Sequence, residues 1–208
     1  MPFRLILPAS RQRLATPAMS GDVEALRKDY GRASRLLIEV GLTLVAVLGA
    51  LVLAAGLTGA TSGLAWVGVA TAVVGALLFG GAVAGLVPFA RSGSVLSRAL
   101  ARALQDRHGG RRQRGAGDAL SARLHVFEPY LFWRIAVAAL ALLGAIMFLS
   151  IGGRALATDA VGTGVGMLAA GALLAIEGVV LFIATTRINV AHSLRDPIQH
   201  RLLGRPGE

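Results

Sequence analysis

Three ionisable side chains lie inside long apolar runs of this sequence, and such groups are the first candidates for chemistry. They are Glu39, Arg134 and Glu177. Charged groups inside a membrane are costly, and they commonly form ion paths, proton relays or structural pairs. Glu39 and Arg134 each lie about one helical turn inside an apolar run. Two interpretations stay open for them: a gate or ion path, or the structural role that we favour, as a pair or as side chains reaching separately to the surface.

Glu177 lies deeper, because it precedes Thr185 by eight positions. At the rise of an α-helix this distance is about 12 Å. We expect its carboxyl group to be protonated or hydrogen-bonded and to face the helix bundle or a partner subunit. A protonated carboxyl group at this depth is a candidate proton relay; the alternatives are a structural acid or one that contacts another subunit.

Other residue groupings do not indicate catalysis or a bound cofactor. Gly162, Gly164 and Gly166 begin an apolar run with no strand before it, so they do not resemble a phosphate-binding loop. Neighbouring His192 and Ser193 on one helix do not form a catalytic triad with Asp196. The chain has no cysteine, and its four histidines lie outside the apolar runs. We therefore expect no enzymatic activity, no cofactor and no metal site.

Composition indicates an integral membrane protein. Of 208 residues 55% are hydrophobic and 27 are glycine, and the mean hydropathy is +0.67. The formal net charge of +10 comes from basic residues beside apolar runs, with few aromatic residues among them. Contacts with the lipid bilayer and its anionic lipids therefore explain the charge better than nucleic acid does.

Four apolar runs predict the fold, since each is long enough to cross about 30 Å of hydrocarbon. They cover residues 36–57, 64–89, 131–151 and 160–184. We predict an all-α integral membrane protein of four transmembrane helices, arranged as two tandem hairpins with short amphipathic cytoplasmic helices. The predicted segments are a basic N-terminal segment (1–35), the first hairpin (36–89), a basic linker with an amphipathic helix (90–130), the second hairpin (131–184) and a tail (185–208).

The distribution of basic residues predicts the orientation. Of the 21 Lys and Arg residues, seven precede the first run, eight lie in the central segment and four follow the last run. Only Arg154 lies in a predicted external turn, and Arg134 lies just inside the third run. Because positive residues are retained on the cytoplasmic side, we expect both termini and the central segment to be cytoplasmic, in a cell membrane of the bacterial inner-membrane type.

Residues 94–107 have an amphipathic pattern, with apolar residues on one helical face and Arg98 and Arg102 on another. We expect a helix in the plane of the cytoplasmic leaflet, with Arg98, Arg102 and Arg107 at the lipid headgroups. The alternative is a soluble helix packed on a partner or on the first hairpin. Shorter helices are predicted after Ser20 or Asp22 and after Asp118, because each of these residues can cap a helix.

Small residues predict how the spans pack. The second run has a stripe of them at four-residue spacing, with a second step beside it: Gly68, Ala72, Ala76, Gly80 and Ala84, then Gly81 and Gly85. Such faces let helices approach closely, so we predict a helix–helix contact here in preference to lipid.

The two hairpins show a weak internal similarity. A shift of 96 residues aligns eight identical pairs, among them Gly75 with Gly171 and Arg91 with Arg187. In a sequence of this composition chance supplies several such matches, so the repeat is a hypothesis.

Two functions stay open. The first is a non-catalytic membrane subunit or scaffold that binds other membrane subunits or a second copy; the second is a small proton- or ion-coupled transporter or channel that works through Glu177.

Overall fold

The computed structural model describes residues 22–61, 65–109 and 129–193, and in these ranges the chain is helical, without a strand. The helices are α1 (Asp22–Tyr30), α2 (Ala33–Ala60), α3 (Ala65–Gly109), α4 (Pro129–Ala157) and α5 (Val161–Ser193). Helices α2 to α5 are each long and apolar enough to cross a membrane. The predicted all-α class with four apolar helices that could span a membrane is thereby confirmed. The helix predicted after Asp118 and the chain beyond residue 193 lie outside the described residues.

Helix α3 differs from the prediction, because the second span and residues 94–107 form one continuous helix of 45 residues. It contains Pro88, which removes one backbone hydrogen bond, but helices in membranes tolerate proline when nearby groups satisfy the backbone. After the proline, the Ser94 hydroxyl donates to the carbonyl of Arg91 at 2.8 Å. The Ser97 hydroxyl donates to the carbonyl of Ser94 at 3.1 Å. These bonds lie within the helix, so no break separates the two predicted elements.

The chain divides into two compact units. Unit 2 comprises Ser34–Phe89 and Ala136–Leu181, and unit 1 comprises Met1–Ala33, Ala90–Ile135 and Phe182–Glu208. Each unit is described by itself.

In unit 2, helices α2 and α3 pack closely in antiparallel directions. An added Cβ atom at Gly56 would meet the backbone of Ala72, and one at Gly68 would meet the backbone of Ala60. Only glycine permits this distance between the two backbones, which brings many atoms into van der Waals contact.

Helix α5 packs on two neighbours in unit 2. Gly171 lies against Leu149 of α4, while Gly166, on the other side, lies against Ala54 of α2. Helices α2 and α5 are accordingly the inner pair. In their most apolar windows 28% of residues are buried, against 17% for α3 and 22% for α4.

Helix α4 is joined to α5 by a tight turn. Asp159 has a positive φ of 58°, the left-handed conformation that usually ends a helix at glycine. The amide of Ala160 donates to the carbonyl of Ala155 at 2.9 Å, and the amide of Asp159 donates to the carbonyl of Leu156 at 3.3 Å. This pair of bonds is the Schellman motif, and it satisfies carbonyl groups at the end of α4.

Unit 1 has its own apolar core, formed by α1, the second half of α3, the start of α4 and the end of α5. Its largest fully buried side chains include Tyr30, Leu96, Leu100, Leu131 and Ile188. The core also contains Val23, Leu26 and Leu104 and four alanines, Ala101, Ala103, Ala191 and, at its edge, Ala99. The amphipathic pattern of residues 94–107 therefore arises from burial against protein in the described structure.

Candidate functional site

A cavity of about 260 Å³ in unit 2 brings together two of the three ionisable residues singled out from the sequence. Helix α2 contributes Glu39 and Thr43, and helix α5 contributes Glu177. Glu39 is only 5% exposed, and Glu177 is partly buried. The remaining lining is apolar: Leu36, Val40, Leu44, Val137, Leu140, Ala141, Leu174 and Leu181.

Helical spacing explains how these groups reach one cavity. Glu39 and Thr43 are four residues apart and therefore share a face of α2. The Thr43 hydroxyl donates to the backbone carbonyl of Glu39 at 2.9 Å, which leaves its oxygen available as an acceptor. On α5, Gly178 follows Glu177 and lies against Leu142 of α4. This contact holds α4 and α5 close together beside the acidic side chain.

The polar groups of this cavity are mainly carboxyl groups in apolar surroundings, and these determine what it can bind. Glu39 and Glu177 both supply oxygen ligands, and two carboxyl groups that share a confined space favour a bound proton or cation. Sequence reasoning singled out both residues but did not bring them together. The sequence does not show that the two residues are close, because α2 and α5 are separated by two other helices along the chain.

Arg134, the third ionisable residue, lies in unit 1 and is 3% exposed. Its Nη2 atom donates to the backbone carbonyl of Tyr30 at 3.0 Å. Its guanidinium carbon lies 4.2 Å from the centroid of the Tyr30 ring, within the range of a cation–π interaction. Glu39 belongs to unit 2, and its pairing with Arg134 stays a prediction.

Arg35 is a further buried cation that sequence reasoning treated only as part of the basic N-terminal segment. It is 6% exposed in unit 2, and its Nη2 atom donates to the carbonyl of Phe89 on α3 at 3.1 Å. The bond links α2 to α3 close to Pro88.

The predicted small-residue stripe of α3 divides into a packed part and an exposed part. Gly68 and Ala72 lie against α2, and Gly85 lies against the side chain of Leu42. In contrast, Ala76, Gly80, Gly81 and Ala84 are exposed. An added Cβ atom at Gly80 or Gly81 would have no atom within 4 Å.

The geometry of the helix explains this division. Residues four apart are rotated by about 40° relative to each other, so a stripe of five turns away by about 160° from start to end. The face that contacts α2 instead steps by four, three and four residues, through Gly68, Ala72, Gly75 and Phe79, so that it repeats every seven residues. This spacing is that of left-handed helix packing.

The basic residues predicted to meet lipid headgroups lie on α3. Arg98 and Arg102 are exposed, and the side chain of Arg107 lies outside the described part of the chain. The opposite face, with Leu96 and Leu100, is buried in the core of unit 1, and the contact of the arginines with lipid headgroups stays a prediction. In unit 1 this face packs with α1, the start of α4 and the end of α5, whereas the alternative expected a partner or the first hairpin.

The fold and these sites define a helical protein with four candidate membrane spans. The chain matches no known protein family, no curated protein and no solved structure. Among the residues whose side chains the structure describes, no group of three His, Asp or Glu residues is placed to hold a metal ion.

Proposed function

We propose that this protein is a non-catalytic, multi-pass membrane subunit or scaffold of a larger membrane complex. It contacts other membrane subunits or a second copy through small-residue helix faces, and anionic lipid through its basic segments. We place it in a cell membrane of the bacterial inner-membrane type with both termini cytoplasmic, in line with the distribution of Lys and Arg.

The proposed architecture is two tandem hairpins related by an internal repeat. The antiparallel contacts support it, because the shift of 96 residues that aligns identical residues also aligns contacts. It carries the pair Leu53 and Gly75 onto Leu149 and Gly171, and both pairs are in contact. The same shift carries Gly56 and Ala72 onto Gly152 and Leu168, which are again in contact. Composition alone does not explain why one shift aligns both identical residues and their contacts.

The observation that carries the subunit proposal is the exposed patch of α3 formed by Ala76, Gly80, Gly81 and Ala84. Glycine weakens a helix by about 1 kcal/mol relative to alanine and offers lipid little surface to contact. Close approach of another helix compensates for this cost, as it does at Gly56 and Gly68 within the chain. We therefore propose that a helix of another subunit or of a second copy packs on this patch.

The test is the size of the particle extracted from native membranes in mild detergent, measured by native mass spectrometry. Replacing Gly80 and Gly81 together by leucine covers the patch, and neither added Cβ atom would have a neighbour within 4 Å in the chain. We expect this double variant to lose the additional subunits. Gly41→Leu is the matched control, since Gly41 is also exposed on a span with open space around it. Equal particle sizes for the double variant and the control would contradict the proposal.

The second candidate function is a small proton- or ion-coupled transporter or channel, and the cavity containing Glu39 and Glu177 favours it. A partly buried carboxyl group on an inner helix is the kind of group that carries protons across membranes. Thr43 adds a hydroxyl oxygen to the two carboxyl groups.

Replacing Glu177 by glutamine separates the two functions. In a transporter, Glu177→Gln abolishes proton-coupled flux into vesicles while the protein remains folded, since the amide keeps much of the hydrogen bonding but cannot exchange the proton. In a subunit, the same change leaves assembly intact. Asp159→Asn is the control, because it also neutralises an acid but lies in the α4–α5 turn, where asparagine tolerates the positive φ. Flux that is equal in Glu177→Gln and wild type would exclude the transport mechanism.

A further inference from the structure

A groove of about 440 Å³ in unit 1 combines positive charge with an apolar floor. It lies between the second half of α3 and the end of α5. Arg98 and Arg102 line it from α3, and Arg187 lines it from α5. Phe182 and Ile183 form the apolar part and are 55% and 43% exposed.

The helices direct these side chains to one place. Arg98 and Arg102 are four residues apart on α3, on the face opposite the residues buried in the core of unit 1. On α5, Phe182, Thr186 and Val190 recur every four residues and face the groove together. Arg187 follows Ile183 by one turn, so the charge lies beyond the end of the apolar run 160–184. Along α5 the groove thus begins at the apolar Phe182 and Ile183 and reaches the positive charge of Arg187 one turn later.

We infer that this groove binds one anionic phospholipid, with its phosphate among the three guanidinium groups and the first part of an acyl chain on Phe182 and Ile183. Guanidinium groups bind phosphate through paired hydrogen bonds, which makes arginine well suited to this role. The exposed aromatic and aliphatic side chains next to the arginines explain why a lipid fits better than a free phosphate. The inference rests on the membrane topology of the proposed function, but not on the proposed assembly.

The experiment is native mass spectrometry of the full chain, freed of lipid in mild detergent and titrated with phosphatidylglycerol or with phosphatidylcholine of the same acyl chains. We expect phosphatidylglycerol to bind more tightly. Each of Arg98→Gln, Arg102→Gln and Arg187→Gln should weaken its binding about fivefold, and the triple variant about a hundredfold. Arg154→Gln is the matched control: Arg154 is an exposed arginine in the last turn of α4, and its loss should leave binding unchanged.

Two further probes separate a lipid from other ligands. Phe182→Ala should weaken the binding of phosphatidylglycerol but not that of glycerol phosphate, which lacks acyl chains. Glycerol phosphate binding as tightly as phosphatidylglycerol would overturn the inference, as would equal binding of the two lipids by the unmodified chain. If an acidic peptide bound more tightly than phosphatidylglycerol and Phe182→Ala did not affect its binding, the groove would be assigned to a protein partner. This result would also overturn the inference. The same spectra report the number of chains in the particle, so failure of the proposed assembly is seen separately.

Discussion

Replacing Gly56 by alanine tests the close approach of α2 and α3 in unit 2. An added Cβ atom would lie 2.6 Å from the Cα atom of Ala72 and 2.8 Å from the carbonyl oxygen of Gly68. Carbon atoms in favourable contact are about 3.5–4.0 Å apart. The two helices must therefore separate by roughly 1 Å at this point, which weakens the contacts along the interface.

The expected loss of stability follows from two opposing effects. Overpacking of a well-packed interior costs about 1–3 kcal/mol. Alanine is also a better helix former than glycine, by about 1 kcal/mol. Gly41→Ala provides the second effect without the first, because Gly41 is exposed on the same helix and an added Cβ atom has no neighbour within 4 Å. We therefore expect Gly56→Ala to be less stable than Gly41→Ala by about 1–3 kcal/mol.

Unfolding in mixed micelles at increasing fractions of a denaturing detergent measures this difference. Trp66 and Trp133 are the two tryptophans of the chain, and their fluorescence reports the transition. Equal free energies of unfolding for the two variants would refute the reasoning, because the added methyl group would then have been accommodated without separating the helices.

Three further predictions concern a buried cation, a turn and the topology. Arg134→Met should destabilise the protein by about 2–5 kcal/mol, because it removes a charged hydrogen bond and a cation–π interaction. Tyr30→Phe should destabilise it less, because it keeps the ring and the carbonyl that Arg134 contacts, and detergent unfolding measures both variants. Asp159→Gly should stabilise the protein by up to about 1 kcal/mol by relieving the positive φ, and Asp159→Val should destabilise it, in the same assay. A reporter fused after Gly109 should be active on the cytoplasmic side, and external activity would contradict the proposed topology.

The sequence predicts the spans well because hydropathy is a local property. Each of the four apolar runs corresponds to one of the four long helices, and the runs 64–89 and 160–184 begin one residue before the first residues of α3 and α5. Hydropathy does not predict the end of this second long helix, because the apolar run stops at residue 89. In α3 the helix continues, and its later half is stabilised by burial in the core of unit 1.

Contacts between distant residues explain what the sequence does not predict. Arg134 and the carbonyl of Tyr30 are 104 residues apart, and no periodic pattern relates them. Glu39 and Glu177 line one cavity because of how α2, α4 and α5 pack, which the individual helices do not specify. The small-residue stripe was identified from residue types, but its division into packed and exposed parts depends on the rotation of the helix relative to its neighbour.

Photo-crosslinking in native membranes tests most directly whether the exposed patch of α3 is covered by another protein. A short diazirine side chain introduced at Ala84 should yield adducts with a second polypeptide, and mass spectrometry identifies that polypeptide as another subunit or a second copy. The same side chain at Gly41, which is exposed on α2, should yield lipid adducts alone. Lipid adducts alone at both positions would contradict the proposal that this protein is a subunit assembled through α3.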